Sequence, residues 1–199
     1  MIIGLTGPTG SGKSTVAKFF EGMDFAILDY DKISRDTTLK GSPCLSELSK
    51  EFGNEILDSE GNLQRKVLGK IVFSDSEKLE TLNKITHKYI LKESDRLMKK
   101  YSGKHMVLDA PLLFEAELDK KCDLIIGVIA PMDVRLTRIC KRDSIDKSTA
   151  MARTRNQHDE DFFRENCDFI IENTKDTEYV TEQIKEIFND KKFKQKSDC

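Results

Sequence analysis

No stretch of this 199-residue chain approaches the roughly 20 apolar residues that a membrane helix needs. Its apolar start is broken too soon by glycine to read as a signal peptide. Charge of one sign is equally missing. The 33 basic and 35 acidic residues leave a net charge of −2, so no overall field draws in nucleic acid. The five cysteines, Cys44, Cys122, Cys140, Cys167 and Cys199, are scattered, odd in number and without a C-x-x-C pair. Free thiols in a reducing cytosol are the expectation, and with them a cytoplasmic protein. His87, His105 and His158 show no metal spacing, so no zinc site is expected. A membrane protein, a disulfide scaffold and a basic nucleic-acid binder are thereby set aside. What is left is one α/β domain, or one with a small insertion, long enough to bury a sizeable core.

The stretch Gly4 to Thr15, Gly-Leu-Thr-Gly-Pro-Thr-Gly-Ser-Gly-Lys-Ser-Thr, organises that domain. Gly7, Gly12, Lys13 and Ser14 fit the phosphate-binding pattern G-x-x-x-x-G-K-[ST]. From average composition, a chance match arises about once in 30,000 positions. The flanks agree with the motif. Met1 to Leu5 suits a buried strand, and Val16, Phe19, Phe20 and Met23 follow at helical spacing. Strand, glycine-rich loop and helix aim backbone N–H groups and a positive helix end at a polyphosphate. Gly10, Ser11, Gly12, Lys13, Ser14 and Thr15 are therefore candidate ATP contacts. Lys13 reaches the β- and γ-phosphates, and the Ser14 hydroxyl ligates Mg²⁺.

Farther along, Phe25 to Leu28 reads as a second strand that ends in Asp29-Tyr30-Asp31. Asp31 at such a strand end accepts a proton from an attacking hydroxyl or holds Mg²⁺ through water; its competing role is N-cap of the next helix. Helices are predicted over Pro43 to Phe52, Arg65 to Phe73 and Glu77 to Lys100, the last turning Leu79, Leu82, Ile85, Tyr89 and Ile90 inward. Asp58 to Gly61 matches a GTPase D-x-x-G but lies in a polar turn, and Asn83-Lys84-Ile85-Thr86 lacks the Asp of N-K-x-D. His105 to Asp109 is a third strand, with Asp109 placed like a second magnesium carboxylate. The apolar run Asp123 to Ala130 predicts a strand buried on both faces, and Asp168 to Glu172 a fifth strand. Between these two lie Arg135, Arg138, Arg142, Arg153, Arg155 and Arg164, the pattern of a lid that neutralises a transferring phosphoryl group. Their alternative role is a solvated, salt-bridged helical face, for which Asp143, Asp146, Asp159, Glu160 and Asp161 supply partners. Val180, Ile184, Ile187 and Phe188 mark a last helix, and the lysine-rich tail from Lys191 to Cys199 is predicted to fray in solvent.

Taken in order, these residues resemble one family, the dephospho-coenzyme A kinases, over nearly the whole chain. The residues that carry the resemblance are the phosphate loop with Thr6 and Gly7, Asp29 to Arg35 (D-x-D-x-I-x-R), Asp58 to Arg65 (D-x-x-G-x-L-x-R), His87 to Ile90, Asp109 to Glu115 (D-x-P-L-L-F-E), Arg153 to Gln157 and Asp168 to Asn173. Pro8-Thr9 stands where the family has Gly-Ile, Lys88 where it has Pro, and Tyr30 where it has a small residue. Because Pro8 has no N–H, the amides of Gly10 to Ser14 are expected to form the cradle, and Tyr30 is expected to narrow the acceptor pocket.

The resemblance implies a five-stranded parallel sheet between helices, in one domain over residues 1–199. A helical acceptor-binding insertion is expected at about 41–100 and a lid at about 138–165. It implies ATP and dephospho-coenzyme A as substrates and Mg²⁺ as cofactor, in a monomer or weak homo-oligomer without nucleic-acid or membrane partners. Asp31 becomes the base for a ribose 3′-hydroxyl. Arg35, Arg65 and His87 fall on the acceptor side, Arg138, Arg142 and Arg153 in the lid, and Asn173 at the adenine end. A nucleoside or nucleoside-monophosphate kinase shares the loop and lid. A tRNA prenyl transferase shares the loop's opening but is longer and acts on nucleic acid. A non-catalytic nucleotide switch would need the missing N-K-x-D.

Overall fold

The computed structural model describes residues 1–155 and 157–197; Cys199 lies outside the described residues. The chain divides into two compact units, Met1–Leu28 with Tyr101–Cys199, and Asp29–Lys100.

The first unit is built on a sheet of five parallel strands: β1 (Ile2–Thr6), β2 (Ala26–Asp29), β3 (Met106–Asp109), β4 (Leu124–Ile129) and β5 (Phe169–Glu172). Their order across the sheet is β2-β3-β1-β4-β5. β1 pairs with β3 from Ile2↔Met106 to Leu5↔Asp109, and with β4 from Ile3↔Leu124 to Thr6↔Gly127. The connection after β1 runs to the β2 side of the sheet and the connection after β3 runs to the β4 side. The loop beyond the carboxyl end of β1 therefore lies at the topological switch point, between β1 and β3, where α/β sheets bind ligands. β4 is buried along nearly its whole length, as its unbroken apolar run requires.

Helix α1 (Lys13–Gly22) packs Val16 and Phe20 against Ile3, Leu5, Val107 and Ile126 of the sheet. Met23, expected on that face, caps the helix end instead and is 47% exposed. The last long helix of the unit, Thr177–Asn189, adds Val180, Ile184 and Ile187 to the same core. The tail does not fray as expected. Lys191–Ser197 is a short helix, and Phe193 is 2% exposed because its ring packs 4.4 Å from that of Phe188. One aromatic side chain with a core to enter outweighs four solvated lysines around it.

The second unit is helical: α2 (Tyr30–Thr37), α3 (Pro43–Phe52), α4 (Arg65–Val72) and α5 (Ser76–Lys100). Cys44, Leu48, Phe52, Ile56, Leu68, Val72 and Ile85 form its core, with Leu79, Leu82 and Tyr89 at the margin; Ile90 is half-buried outside this cluster. Between α3 and α4 the Asp58 carboxylate accepts from the Glu60 and Asn62 amides at 2.9 and 2.8 Å. That closes a polar turn and leaves no GTPase-like strand end. α5 runs unbroken through Lys88, whose ammonium lies 2.8 Å from Glu47 of α3. The Tyr89 hydroxyl donates to the same carboxylate at 2.5 Å.

Candidate active site

The phosphate loop follows β1 and turns on three glycines with positive φ, Gly7 (142°), Gly10 (82°) and Gly12 (95°). Space as well as φ demands glycine here. A Cβ on Gly7 would lie 2.1 Å from the Val128 carbonyl oxygen, and one on Gly12 would lie 1.9 Å from the Asn173 amide nitrogen. The Ser11 amide donates to the Pro8 carbonyl at 3.1 Å. Within the run of amides expected to form the cradle, that of Ser11 thus bonds inside the loop, and Pro8, which cannot donate, accepts. Its hydroxyl is a different matter: Ser11 is 1% exposed, and its Oγ has no hydrogen-bond partner among the described residues.

Lys13 and Ser14 open α1. Neither side chain makes a hydrogen bond or ion pair among the described residues, and Ser14 is exposed. Thr15 spends its amide on the Gly12 carbonyl at 3.0 Å. Asp109 ends β3 in register with Leu5, beside the strand that enters the loop.

The arginine-rich segment folds into α6 (Met132–Asp143), α7 (Lys147–Thr154) and α8 (Glu160–Asn166). Its arginines separate into two kinds. Arg142 and Arg153 both pair with the Asp143 carboxylate, at 2.7 and 2.6 Å, with half or more of each side chain exposed. The two guanidinium groups hold the Asp143 carboxyl below the usual carboxylate range, Arg142 foremost. This is the salt-bridged face that the nearby acidic residues foretold.

Arg138 and Arg135 turn to the loop instead. Arg138 donates to the carbonyls of Gly10 and Ser11 at 3.3 and 3.2 Å, and to the Asn173 backbone and side-chain oxygens at 3.2 and 3.1 Å. Asn173 is 6% exposed and returns its amide nitrogen to the Ser11 carbonyl at 2.9 Å, so a side chain expected at adenine bonds at one end to the phosphate loop and at the other to Arg138. Arg135, unassigned from the sequence, is 4% exposed. It donates to the Thr9 carbonyl at 3.0 Å and to the Gln157 side-chain oxygen at 2.8 Å. Gln157 in turn grips Thr9, accepting from its amide at 3.1 Å and donating to its hydroxyl at 2.7 Å. Asn156, inside the Arg153 to Gln157 motif, lies outside the described residues.

In the helical unit the N-cap role that the sequence left open for Asp31 falls to its neighbour Asp29. Asp29 is the N-cap of α2, its carboxylate accepting from the Lys32 amide at 2.8 Å. Asp31 lies within the first turn, exposed, and makes no hydrogen bond or ion pair among the described residues. Arg35 follows it by four residues on the same helix face and is also exposed. Arg65, at the start of α4, donates to the Thr38 hydroxyl at 2.9 Å, and that hydroxyl donates to the Arg35 carbonyl at 3.0 Å. Arg35 and Arg65 are thereby brought into one neighbourhood. His87 is exposed on α5 and has no hydrogen bond with them. Tyr30, expected to narrow the acceptor pocket, is 7% exposed, with its hydroxyl 2.5 Å from that of Ser94.

Burial pushes the thiols of Cys44, Cys122 and Cys167 up to about 11, about 12 and about 12, and none of the described cysteines forms a disulfide. No helix of the described residues is long and apolar enough to cross a membrane.

Comparison with known proteins agrees with this geometry. A family model described as CoaE, dephospho-CoA kinase, matches residues 1–178. A dephospho-CoA kinase from Fusobacterium nucleatum is 41% identical over 184 residues, covering 92% of this chain and 95% of the relative. One from Carboxydothermus hydrogenoformans is 39% identical over 196 residues, covering 97% and 95%. Among solved structures, TT1252 from Thermus thermophilus superposes with a TM-score of 0.84 at 28% identity, over 95% of this chain and 96% of the other. Dephospho-CoA kinase from Campylobacter jejuni superposes with a TM-score of 0.61 at 26% identity, over 94% and 96%.

Proposed function

The chain belongs to the dephospho-coenzyme A kinase family, and from that premise we propose that it transfers the γ-phosphoryl group of ATP to the ribose 3′-hydroxyl of dephospho-coenzyme A. A bond forms between the 3′ oxygen and the γ phosphorus as the bond from that phosphorus to the β,γ-bridging oxygen breaks. ADP leaves and coenzyme A is the product. Asp31 orients the hydroxyl and takes its proton. Lys13 holds the γ-phosphoryl oxygens, and the loop amides and the α1 N-terminus hold the rest of the polyphosphate.

The observation that carries this reading is the division of labour between Asp29 and Asp31. Because Asp29 caps the helix, the Asp31 carboxylate is exposed and unpaired among the described residues, as a general base needs to be. Arg35 and Arg65 take the acceptor's pyrophosphate, with His87 farther along the same unit. Arg138 and Arg153 act from the nucleotide side, and Arg142 and Arg153 reach the transferring group only by leaving Asp143. The units work as one kinase domain, with residues 41–100 as the acceptor insertion and 138–165 as the lid.

The donor set suits Mg²⁺: the Ser14 hydroxyl is exposed and Asp109 ends the neighbouring strand, both hard oxygen ligands. Bound with the nucleotide, Mg²⁺ supplies charge neutralisation on the phosphate oxygens. Among the described residues no three His, Cys, Asp or Glu side chains form a metal cluster, so phosphate oxygens and water would complete its shell. The protein is read as cytoplasmic, a monomer or weak homo-oligomer, with no nucleic-acid or membrane partner.

Incubation with ATP, Mg²⁺ and dephospho-coenzyme A tests the activity, with the product followed by ³¹P NMR. A new 3′-phosphomonoester in step with ADP is the expected result. Release of ADP without that ester would contradict the assignment.

A further inference from the structure

We propose that Arg135, a residue to which the reaction assigns no task, is a positioning residue for the nucleotide's phosphates: it holds Thr9 of the phosphate loop and contributes an unneutralised positive charge beneath it.

Arginine is among the side chains least often buried without an ion-pair partner, yet Arg135 is 4% exposed. Its bonded acceptors are the Thr9 carbonyl and the Gln157 amide oxygen, both neutral. No carboxylate lies within salt-bridge distance among the described residues. Glu160, at the start of α8, is the acidic group that acts on it through space, and burial outweighs that attraction in drawing the guanidinium below its ordinary pKa. A buried cation in such surroundings costs stability unless an anion arrives.

Two independent features show where that anion binds. The loop that Arg135 holds leads into the N-terminus of α1, where the free ammonium of Lys13 stands. Within the same loop the buried Ser11 hydroxyl has no partner. A polyphosphate supplies both the missing charge and acceptor oxygens. Pro8 and Thr9 give the arrangement its local logic, since a loop that opens on a residue without an N–H is fastened through all three polar groups of the next one.

The inference rests on reading the loop as the ATP site, and inorganic tripolyphosphate separates the two claims because it needs neither adenine nor acceptor. Its dissociation constant is to be measured at low and high salt for the unaltered protein, Arg135→Gln and Arg135→Lys, with adenosine as the phosphate-free control. Arg135→Gln should weaken tripolyphosphate binding about tenfold at low salt, equivalent to about 1.4 kcal/mol, and less at high salt. Arg135→Lys, which keeps the charge, should stay within about threefold of the unaltered protein. Adenosine binding should not change. If the unaltered protein does not bind tripolyphosphate, the ATP reading itself fails. If it binds and Arg135→Gln matches it, or if Lys and Gln weaken binding equally, the charge proposal is overturned. Should Arg135→Gln not fold, Glu160→Gln carries the test. Removing the opposing charge should tighten binding at low salt, and unchanged or weaker binding overturns the proposal.

Discussion

The backbone of the phosphate loop and the functional side chains of the helical unit are held in opposite ways. Along the loop from Thr9 to Ser11 the backbone is fastened: Arg135, Arg138, Gln157 and Asn173 bond to Thr9, Gly10 and Ser11, and glycines stand where no Cβ has room. Lys13 and Ser14 beyond it stay free among the described residues. In the helical unit Asp31, Arg35 and His87 are exposed, and Arg65 has, among the described residues, a single hydrogen bond, to Thr38. A polyphosphate is the same in every turnover, so a rigid cradle loses little entropy when it binds and can direct its dipoles in advance. An acceptor that carries a ribose, a pyrophosphate and a long flexible arm is gathered by side chains that still have freedom to move. Substitutions among the residues that fasten the cradle should therefore act on turnover and fold together, whereas those of the free side chains Asp31, Arg35 and His87 should act on chemistry or acceptor binding alone.

Asp31→Asn is the sharpest way to break that contrast. Turnover should fall by about two to four orders of magnitude, the span of general-base catalysis, at an unchanged melting temperature. Its neighbour should behave in reverse. Asp29→Ala removes the α2 cap and should cost about 1 kcal/mol of stability. An Asp31→Asn enzyme of normal rate would remove the base from the mechanism.

Lys13→Ala should cost about 3–4 kcal/mol in the transition state, read in kcat, while the backbone amides preserve part of the ATP affinity. Near-normal kcat would mean that this loop does not hold the transferred group. A smaller and more selective effect belongs to Arg65→Ala. The KM for dephospho-coenzyme A should rise about tenfold with that for ATP unchanged, since the side chain is exposed and among the described residues bonds only to Thr38. A parallel rise in both would place Arg65 with the fastened residues.

The smallest effect is one of pH. The Asp146 carboxylate caps α7, accepting from the Ser148 and Thr149 hydroxyls and the Thr149 amide, and these bonds hold its carboxyl well below the ordinary Asp value. A depressed carboxylate stabilises the fold above the unfolded-state pKa of about 3.9 and loses that contribution as pH falls below it. Melting curves of Asp146→Ala and the unaltered protein should differ at neutral pH and converge in acid. A difference that widened in acid would reverse the sign of the argument.

Much of this was legible in the chain. β1, the loop and α1 follow from an apolar run, a spaced motif and helical periodicity, all local signals, and the buried β4 follows from its unbroken aliphatics. The division between Asp29 and Asp31 was not, because two aspartates two residues apart both satisfy an N-cap preference and helix starts are uncertain by about that much. Arg135 was hidden for a different reason. It stands among charged residues on a helix that reads as solvated, and its burial depends on Thr9 and Gln157, distant in sequence. Phe193 was misjudged because the lysines around it dominate the local composition, while its partner Phe188 belongs to another helix.

Competition between acceptors tests the central claim most directly. With ATP and Mg²⁺ held constant, dephospho-coenzyme A, AMP and adenosine at matched concentrations are each offered to the unaltered protein and ADP release is followed. Dephospho-coenzyme A should be phosphorylated fastest, with AMP and adenosine poor acceptors. Faster phosphorylation of AMP or adenosine would contradict the account and point to a nucleotide or nucleoside kinase on the same phosphate loop.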